Sequence, residues 1–141
     1  MLLKKGREPV TGVTSFFILF MKDGFMKFSD SLKSNMDFQN VYKKGKSYAN
    51  KYLVMYVLEN NPGINRLGIS VSKKVGNSVV RHRLKRLVRE SYRLHEEMFN
   101  SGLDIVVVVR ANAKSILYTD MESAVIHLSK LHRIYNDVKQ N

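Results

Sequence analysis

One amphipathic pattern in the middle of the chain constrains the fold more than any other feature. Between Val80 and Met98, apolar side chains recur at spacings of three and four, which indicates a helix with one buried face. Asn77 is a favoured N-cap residue, and we predict a helix that starts after it and ends near Phe99. The rest of the chain must supply a core for this face, whose residues are Val80, Leu84, Leu87, Val88, Ser91, Leu94 and Met98.

The other side of this helix is cationic. From Lys73 to Arg93 the chain has eight lysines and arginines and one glutamate, so seven of its twelve net positive charges lie here. Exposed helix faces usually mix charge signs, but no carboxylate precedes Glu90 in this stretch. At about 100° per residue, the side chains predicted to point away from the apolar face are His82, Lys85, Arg86, Arg89 and Arg93, with Arg81 and Arg83 on the flanks.

The start of the helix points to an anionic ligand rather than to a merely solvated charged face. Cations near a helix N-terminus are disfavoured by the helix dipole, so their placement is explained if a bound anion offsets them. Free backbone N–H groups after Gly76 and Asn77 would also suit a phosphate. The candidate nucleic-acid-binding residues are Lys73, Lys74, Asn77, Arg81, His82, Arg83, Lys85, Arg86, Arg89 and Arg93.

Length, charge and composition narrow the class of protein. A chain of 141 residues suits one domain with a substantial core, and a net charge of +12 with a pI near 10 indicates a polyanionic partner, nucleic acid before an acidic membrane surface. The absence of cysteine excludes disulfides, thiolate catalysis and cysteine-based zinc sites. No apolar run approaches the roughly 20 residues that span a bilayer. We therefore expect a cytoplasmic protein that does not insert into a membrane.

Residues 1–25 have a different character from the rest. Basic residues precede an apolar stretch at 13–21, which superficially resembles a signal peptide. The stretch is short, lacks a small-residue cleavage site and ends at Lys22-Asp23. We expect residues 1–25 to be an N-terminal extension outside the fold, with Met26 as an alternative start, and residues 26–141 to form the domain.

Local patterns place further helices and strands around the basic helix. A first helix is predicted to begin at the capping box Ser34–Asp37 and to stop at Gly45, and a last helix to open with the capping box Thr119–Glu122. Segments rich in β-formers predict strands at 47–49, 51–58, 67–71 and 104–110. A helix, several strands, the basic helix, a strand and a helix make a small single-domain α+β sandwich.

The chain shows no catalytic apparatus of its own. Its carboxylates are scattered, no Gly-rich phosphate loop is present, and His127 and His132 are five residues apart, which does not stack them on one helix face. His82 as a general base would need a second acid or base that the stretch lacks. We predict no catalytic residue, no metal site and no small-molecule cofactor in the protein, and a free-standing nuclease using His82 is the alternative.

Three aromatic residues have two interpretations. Phe38 and Tyr42 are four residues apart on the first predicted helix, and Tyr56 lies in the middle of a predicted strand. These rings either belong to the core or form a stacking platform for unpaired bases.

The basic stretch closely resembles a hallmark of the bacterial ribonuclease P protein component. Residues 76–90 read Gly-Asn-Ser-Val-Val-Arg-His-Arg-Leu-Lys-Arg-Leu-Val-Arg-Glu, and segments 37–45, 66–74 and 104–110 also match the family. The resemblance covers about residues 31 to 135. It implies an α-β-β-β-α-β-α sandwich, an architecture shared with the second domain of ribosomal protein S5.

The resemblance also implies a function. Family members join a large catalytic RNA that, with Mg²⁺ held mainly by that RNA, cleaves the 5′ leader from precursor tRNA. The protein subunit binds the RNA and the leader. Matching positions imply RNA contacts for Arg81, Arg83, Lys85, Arg86 and Arg89, and a leader-binding cleft lined by Phe38, Tyr42 and Tyr56.

One position departs from the family motif. His82 stands where the motif usually has Asn, and a neutral imidazole keeps one donor and one acceptor for an RNA contact. Any role of the amide, including help with a metal, does not transfer to His82. The runner-up function is a structural RNA-binding protein of the ribosomal type, since small basic α+β domains are common there.

Overall fold

The computed structural model describes residues 26, 29–60 and 63–137, so the predicted extension at 1–25 lies outside the described residues. The described chain forms five strands and three α-helices, with short 3₁₀ turns at Glu96–Met98 and Ala111–Ala113. In chain order they are β1 (Ser29–Ser31), α1 (Asn35–Lys44), β2 (Lys46–Ala49), β3 (Leu53–Glu59), β4 (Asn65–Ser70), α2 (Ser78–Leu94), β5 (Leu103–Val109) and α3 (Tyr118–Leu131).

The five strands form one mixed sheet in the order β1-β4-β5-β3-β2. β1, β4 and β5 are parallel to one another, whereas β3 runs antiparallel to both β5 and β2. The α+β sandwich predicted from the sequence is confirmed. Its basic helix, α2, connects the parallel strands β4 and β5.

The sheet separates two cores. On one face, α1 packs against β3 and β5 around Leu32, Val41 and Val106. On the other, α2 and α3 cover a larger core that includes Leu84 and Leu128. β5 is buried on both faces, as its unbroken β-branched run indicates.

α1 begins and ends where the sequence predicts. Ser34 Oγ accepts a hydrogen bond from the backbone N–H of Asp37 at 3.1 Å, which caps the helix. At its end, a Cβ on Gly45 would lie 2.6 Å from the Val41 carbonyl oxygen and 3.0 Å from that of Val57. Glycine is therefore required for the close turn into β2.

α2 starts as predicted but ends earlier. Asn77 Oδ1 accepts from the backbone N–H of Val80 at 3.0 Å, which confirms Asn77 as the N-cap. The predicted end near Phe99 is wrong, because the helix stops at Leu94 and a 3₁₀ turn follows. This turn directs the Phe99 ring onto Tyr92, with ring centroids 4.7 Å apart. Packing of Phe99 thus overrides the helical periodicity.

The predicted capping box of α3 is also wrong. α3 begins at Tyr118, and Leu117 occupies the N-cap position with no side-chain hydrogen bond. Glu122, expected to reach back to the cap, instead accepts from His95 Nε2 at 2.7 Å. A hydrogen bond to another element therefore replaces the local cap.

β1 was not predicted. Ser29–Ser31 is a short polar segment without strand periodicity, but it pairs in parallel with β4, Ser29 opposite Asn65. Ser29 Oγ and the buried Tyr92 hydroxyl lie 2.7 Å apart, and Asn65 Nδ2 donates to the same hydroxyl at 3.1 Å. Tertiary hydrogen bonds, rather than local propensity, hold this strand in place.

Candidate nucleic-acid interface

Cations are concentrated at one end of the sheet, where β4 and β5 finish and β3 begins. The segments that meet there, 49–54, 70–86 and 110–117, contain nine lysines and arginines and no carboxylate. We call this region the basic end. Asp30, Glu59 and Asp104 lie at the opposite end of the sheet. The fold therefore separates charge along the sheet, so that the electrostatic potential is most positive at the basic end.

The predicted RNA-binding residues fall into exposed and half-buried groups. Arg81 Nε donates to the Gly76 carbonyl at 3.1 Å, and Arg83 Nη2 donates to the carbonyl of Ile116. These bonds orient two guanidinium groups without neutralising them. The exposed residues are Lys73, Lys74, Asn77, His82, Arg83 and Arg86, and the half-buried ones are Arg81, Lys85, Arg89 and Arg93.

Most of these cations have no carboxylate partner. Within the described parts of the chain, no ion pair joins Arg81, Arg83 or Lys85 to an acid, and the same holds for Arg89. Their charges are therefore not cancelled by the protein's own acids, which is the arrangement expected of a polyanion-binding surface.

Arg93 does not have the outward orientation expected from the helical wheel. Its side chain is only 16% exposed, and Nη2 donates to Glu90 Oε1 at 2.8 Å. Glu90 is the first carboxylate of α2 and lies three residues earlier, within side-chain reach on a helix. The charge of Arg93 is thus shared with an internal acid.

The three predicted aromatic residues lie together on the α1 face of the sheet. The ring centroids of Phe38 and Tyr42 are 6.3 Å apart, and those of Tyr42 and Tyr56 are 4.9 Å apart in an edge-on arrangement. We call these three residues the aromatic cluster. All three are half-buried against the smaller core, so each ring combines core packing with a surface position.

Gly68 makes room for this cluster. A Cβ there would lie 2.7 Å from Phe38 Cζ, so the ring rests directly on the β4 backbone. The sheet register places Gly68, Val106 and Tyr56 in one row, and Ser70, Val108 and Val54 in the next row towards the basic end. The second row is only half-buried. It forms a shallow floor beside the aromatic cluster.

An ion-pair network that sequence reasoning missed holds α1 in position. Arg66 binds the buried Asp104 through two hydrogen bonds of 2.9 and 2.7 Å, and its Nη1 lies 3.5 Å from Asp37 Oδ2. Burial raises the pKa of Asp104, but hydrogen bonds from Arg66 and Asn60 outweigh it and hold the pKa below its ordinary value. The sequence carried one signal of this network: Asp104 is the single acid in the β-branched strand β5. A buried carboxylate needs a partner, so a cation elsewhere in the chain had to reach it.

Like His95, the histidines of the last helical region, His127 and His132, have structural contacts. His132 Nε2 donates to the Met55 carbonyl at 2.9 Å, and burial lowers the His132 pKa. His127 Nδ1 lies 3.2 Å from Asn50 Nδ2. Over the residues that the structure describes, no three His, Asp or Glu side chains are grouped to hold a metal ion. In the same part of the chain, every helix is too short or too polar to cross a bilayer.

This small α+β domain has a strongly basic helix on one face of its sheet and half-buried aromatic rings on the other. That surface chemistry is typical of an RNA-binding protein. The family model described as Ribonuclease P matches residues 26–133. The chain belongs to the family of bacterial ribonuclease P protein components.

Individual relatives agree with this assignment. The chain is 66% identical over 106 residues to the ribonuclease P protein component of Lachnoclostridium phytofermentans, covering 75% of this chain and 91% of the relative. The ribonuclease P protein of Staphylococcus aureus superposes with a TM-score of 0.69 at 40% identity, covering 75% and 97% of the two chains. That of Thermotoga maritima gives 0.66 at 31% identity, covering 72% and 96%.

Membership makes the chain the protein subunit of an endoribonuclease, with an RNA-binding role in processing the 5′ end of tRNA. It favours this function over the ribosomal-type alternative.

Proposed function

We propose that α2 and the turn before it bind the catalytic RNA of ribonuclease P. The observation that carries the proposal is the set of cations at the start of α2 and in the turn before it, Lys73, Lys74, Arg81, Arg83 and Lys85, for which no ion pair is found among the described residues; backbone carbonyls orient Arg81 and Arg83. The other proposed contacts are Asn77, His82, Arg86, Arg89 and Arg93. Arg93 is the weakest of these, because Glu90 shares its charge.

The 5′ leader of precursor tRNA occupies the aromatic cluster in this proposal. Unpaired bases stack on aromatic faces with little sequence preference, and Phe38, Tyr42 and Tyr56 offer half-buried rings beside a shallow floor. The cluster lies on the opposite face of the sheet from α2, so leader and catalytic RNA would occupy separate surfaces.

Magnesium belongs to the RNA in this proposal. The described residues offer no group of carboxylates or histidines that fits a divalent ion, so the residues present do not fit a protein-held metal. The work of the protein is to bind and position RNA. A polyanionic partner and a cysteine-free chain support a cytoplasmic location.

Reconstitution tests the proposal directly. The protein should stimulate cleavage of precursor tRNA by its cognate catalytic RNA at low magnesium and should cleave nothing by itself. Cleavage by the protein alone, lost in His82→Ala, would instead support a free-standing nuclease. Failure to stimulate the catalytic RNA would contradict the proposal.

Salt dependence tests the α2 surface. Replacing Arg81, Arg83 and Lys85 by Ala should reduce the slope of log affinity against log salt for the catalytic RNA by roughly 0.7–0.9 per lost phosphate contact. Filter binding over a series of salt concentrations measures the slope, and thermal melting confirms that the variant is folded.

The matched control removes three exposed charges elsewhere, at Lys33, Lys46 and Lys130. Its slope should stay close to that of the unmodified protein. If the two triple variants behave alike, α2 does not carry the RNA contacts.

A further inference from the structure

Three exposed cations at the basic end lie outside α2 and outside the basic motif at residues 76–90. Lys51 lies in the turn before β3, Arg110 directly follows β5, and Lys114 follows the 3₁₀ turn Ala111–Ala113. None of the ion pairs among the described residues involves them.

The two loops that carry these cations are braced against each other. The backbone N–H of Arg110 donates to the Tyr52 carbonyl at 2.8 Å, and Arg110 Nη1 donates to the Asn50 carbonyl at 2.7 Å. Asn112 Nδ2 donates to the Lys51 carbonyl at 3.2 Å. The cations are thus presented on a fixed framework, which reduces the entropy cost of binding a ligand.

The same loop is tied to α2. Arg83 donates to the carbonyl of Ile116, and the N–H of Ile116 donates to the Ala113 carbonyl at 3.0 Å. Lys114 lies between these two anchoring points, so its position is linked to that of the basic helix.

On the other face of the sheet, the loops continue the floor beside the aromatic cluster. Side chains alternate along a strand, and Val106 and Val108 both face α1. Arg110 is the next residue in this alternation, directly beyond Val108 at the end of β5. The floor that begins at the aromatic cluster therefore leads to a guanidinium group.

In the described part of the chain, no carboxylate forms an ion pair with these three cations. The nearest acids in sequence to Lys51 and Arg110 are Glu59 and Asp104, which lie at the opposite end of the sheet. Those nearest to Lys114 are Asp120 and Glu122 in the first turns of α3, and Glu122 is engaged by His95. Clustered cations without counter-charges repel one another, and a polyanion relieves that repulsion.

We propose that Lys51, Arg110 and Lys114 form a third RNA-binding surface, which holds a phosphodiester backbone as it passes the basic end of the sheet between the aromatic cluster and α2. The inference rests on the proposed function and extends it to residues outside the basic motif at 76–90. This phosphodiester backbone belongs either to the precursor tRNA leader or to the catalytic RNA. Both present the same phosphate groups to the three cations.

Single-charge variants test this surface. Lys51→Gln and Lys114→Gln each remove one exposed charge while Arg110 keeps its bracing role, and Lys130→Gln is the matched control because Lys130 pairs with Asp137 at 3.0 Å. Affinities are measured against salt for the protein with catalytic RNA, and for the holoenzyme with precursor tRNA carrying either a long leader or a single leader nucleotide.

The expected result is a slope of log affinity against log salt reduced by about 0.7–0.9 for each test variant, with no change for Lys130→Gln. A reduction seen only with the long leader identifies the leader as the ligand, and one seen with catalytic RNA alone identifies that RNA. If both test variants match the control in every arm, the inference is overturned. If the α2 triple variant still shows a reduced salt dependence, only the third RNA-binding surface is overturned. If that variant also matches the control, the proposed function of α2 is overturned as well.

Discussion

Asp104 is the carboxylate that ties the acidic end of the sheet to α1. Its side chain is only 4% exposed, and Arg66 and Asn60 supply three hydrogen bonds to it. Arg66 also reaches Asp37 in the first turn of α1, next to Phe38. One buried pair therefore stabilises the fold and fixes the position of a proposed leader-binding ring.

Replacing Asp104 by Asn should destabilise the protein by about 3 kcal/mol, at the low end for a broken buried ion pair because Arg66 keeps some contact with solvent. That loss corresponds to a melting temperature lower by roughly 10 °C. Glu59→Gln, which removes an exposed acid near the same sheet end, should change stability by no more than about 0.5 kcal/mol. Equal melting temperatures for the two variants would contradict the network's role.

The same pair predicts a dependence on pH. The pKa of Asp104 is lower in the folded protein than its ordinary value of 3.8, so the folded state binds this proton less readily than the unfolded state. Its stabilising effect is complete above the ordinary pKa and is lost as pH falls through the folded pKa. The gap in unfolding free energy between the unmodified protein and Asp104→Asn should therefore narrow below about pH 4. A constant gap would show that ionised Asp104 does not matter.

At the scale of elements, α1 and β3 together present the aromatic cluster. The Phe38 ring comes from a helix and the Tyr56 ring from a strand, and Gly68 on β4 leaves room for the Phe38 ring. Four-residue spacing predicted that Phe38 and Tyr42 share a helix face, but only the sheet register brings Tyr56 beside them.

Replacing Phe38 by Ala should weaken holoenzyme binding of a long-leader precursor tRNA by about 1–3 kcal/mol, if bases stack on this cluster. Gly68→Ala should act in the same direction, because its new Cβ would force the Phe38 ring to move. Equilibrium binding, with melting temperature measured in parallel, separates a lost contact from a lost fold.

The matched aromatic control is Tyr48→Ala. Tyr48 is also half-buried, but it packs on His132 with centroids 4.7 Å apart, on the α3 side of the sheet. Leader affinity should be unchanged in this variant. If Phe38→Ala lowers the melting temperature yet leaves leader affinity intact, the cluster serves the core alone.

At the scale of the whole molecule, the described part of the chain builds both cores and the sheet from Ser29 onward, and Met26 packs against the larger core. A chain starting at Met26 should therefore melt within about 2 °C of the full chain, since a change of up to about 0.5 kcal/mol is expected for a segment outside the fold. It should stimulate the catalytic RNA equally. A markedly lower melting temperature would show that residues 1–25 contribute to the stability of the domain.

Several structural features were predictable because they depend on neighbours in sequence. The Asn77 cap, the Ser34 cap and the buried face of α2 are set by hydrogen bonds and spacings within a few residues. The charge of the α2 surface was likewise readable from the order of residues alone.

Other features depended on residues far apart in the chain. Tyr92 lies outside the predicted apolar face of α2 but is buried, because Ser29 and Asn65 satisfy its hydroxyl. The early end of α2 depends in the same way on the packing of the Phe99 ring onto Tyr92, and no local pattern records such a contact.

By itself the sequence determined the class of the protein: a cationic helix, a sheet buried on both faces and a family motif. Tertiary structure alone decided how the charges are distributed in space, gathering Lys51, Arg110 and Lys114 beside α2 and pairing Arg66 with Asp104 at the far end. The physical reason is the separation along the chain over which each interaction acts. Helix periodicity and capping act within a few residues, whereas strand register and buried ion pairs join segments separated by tens of residues.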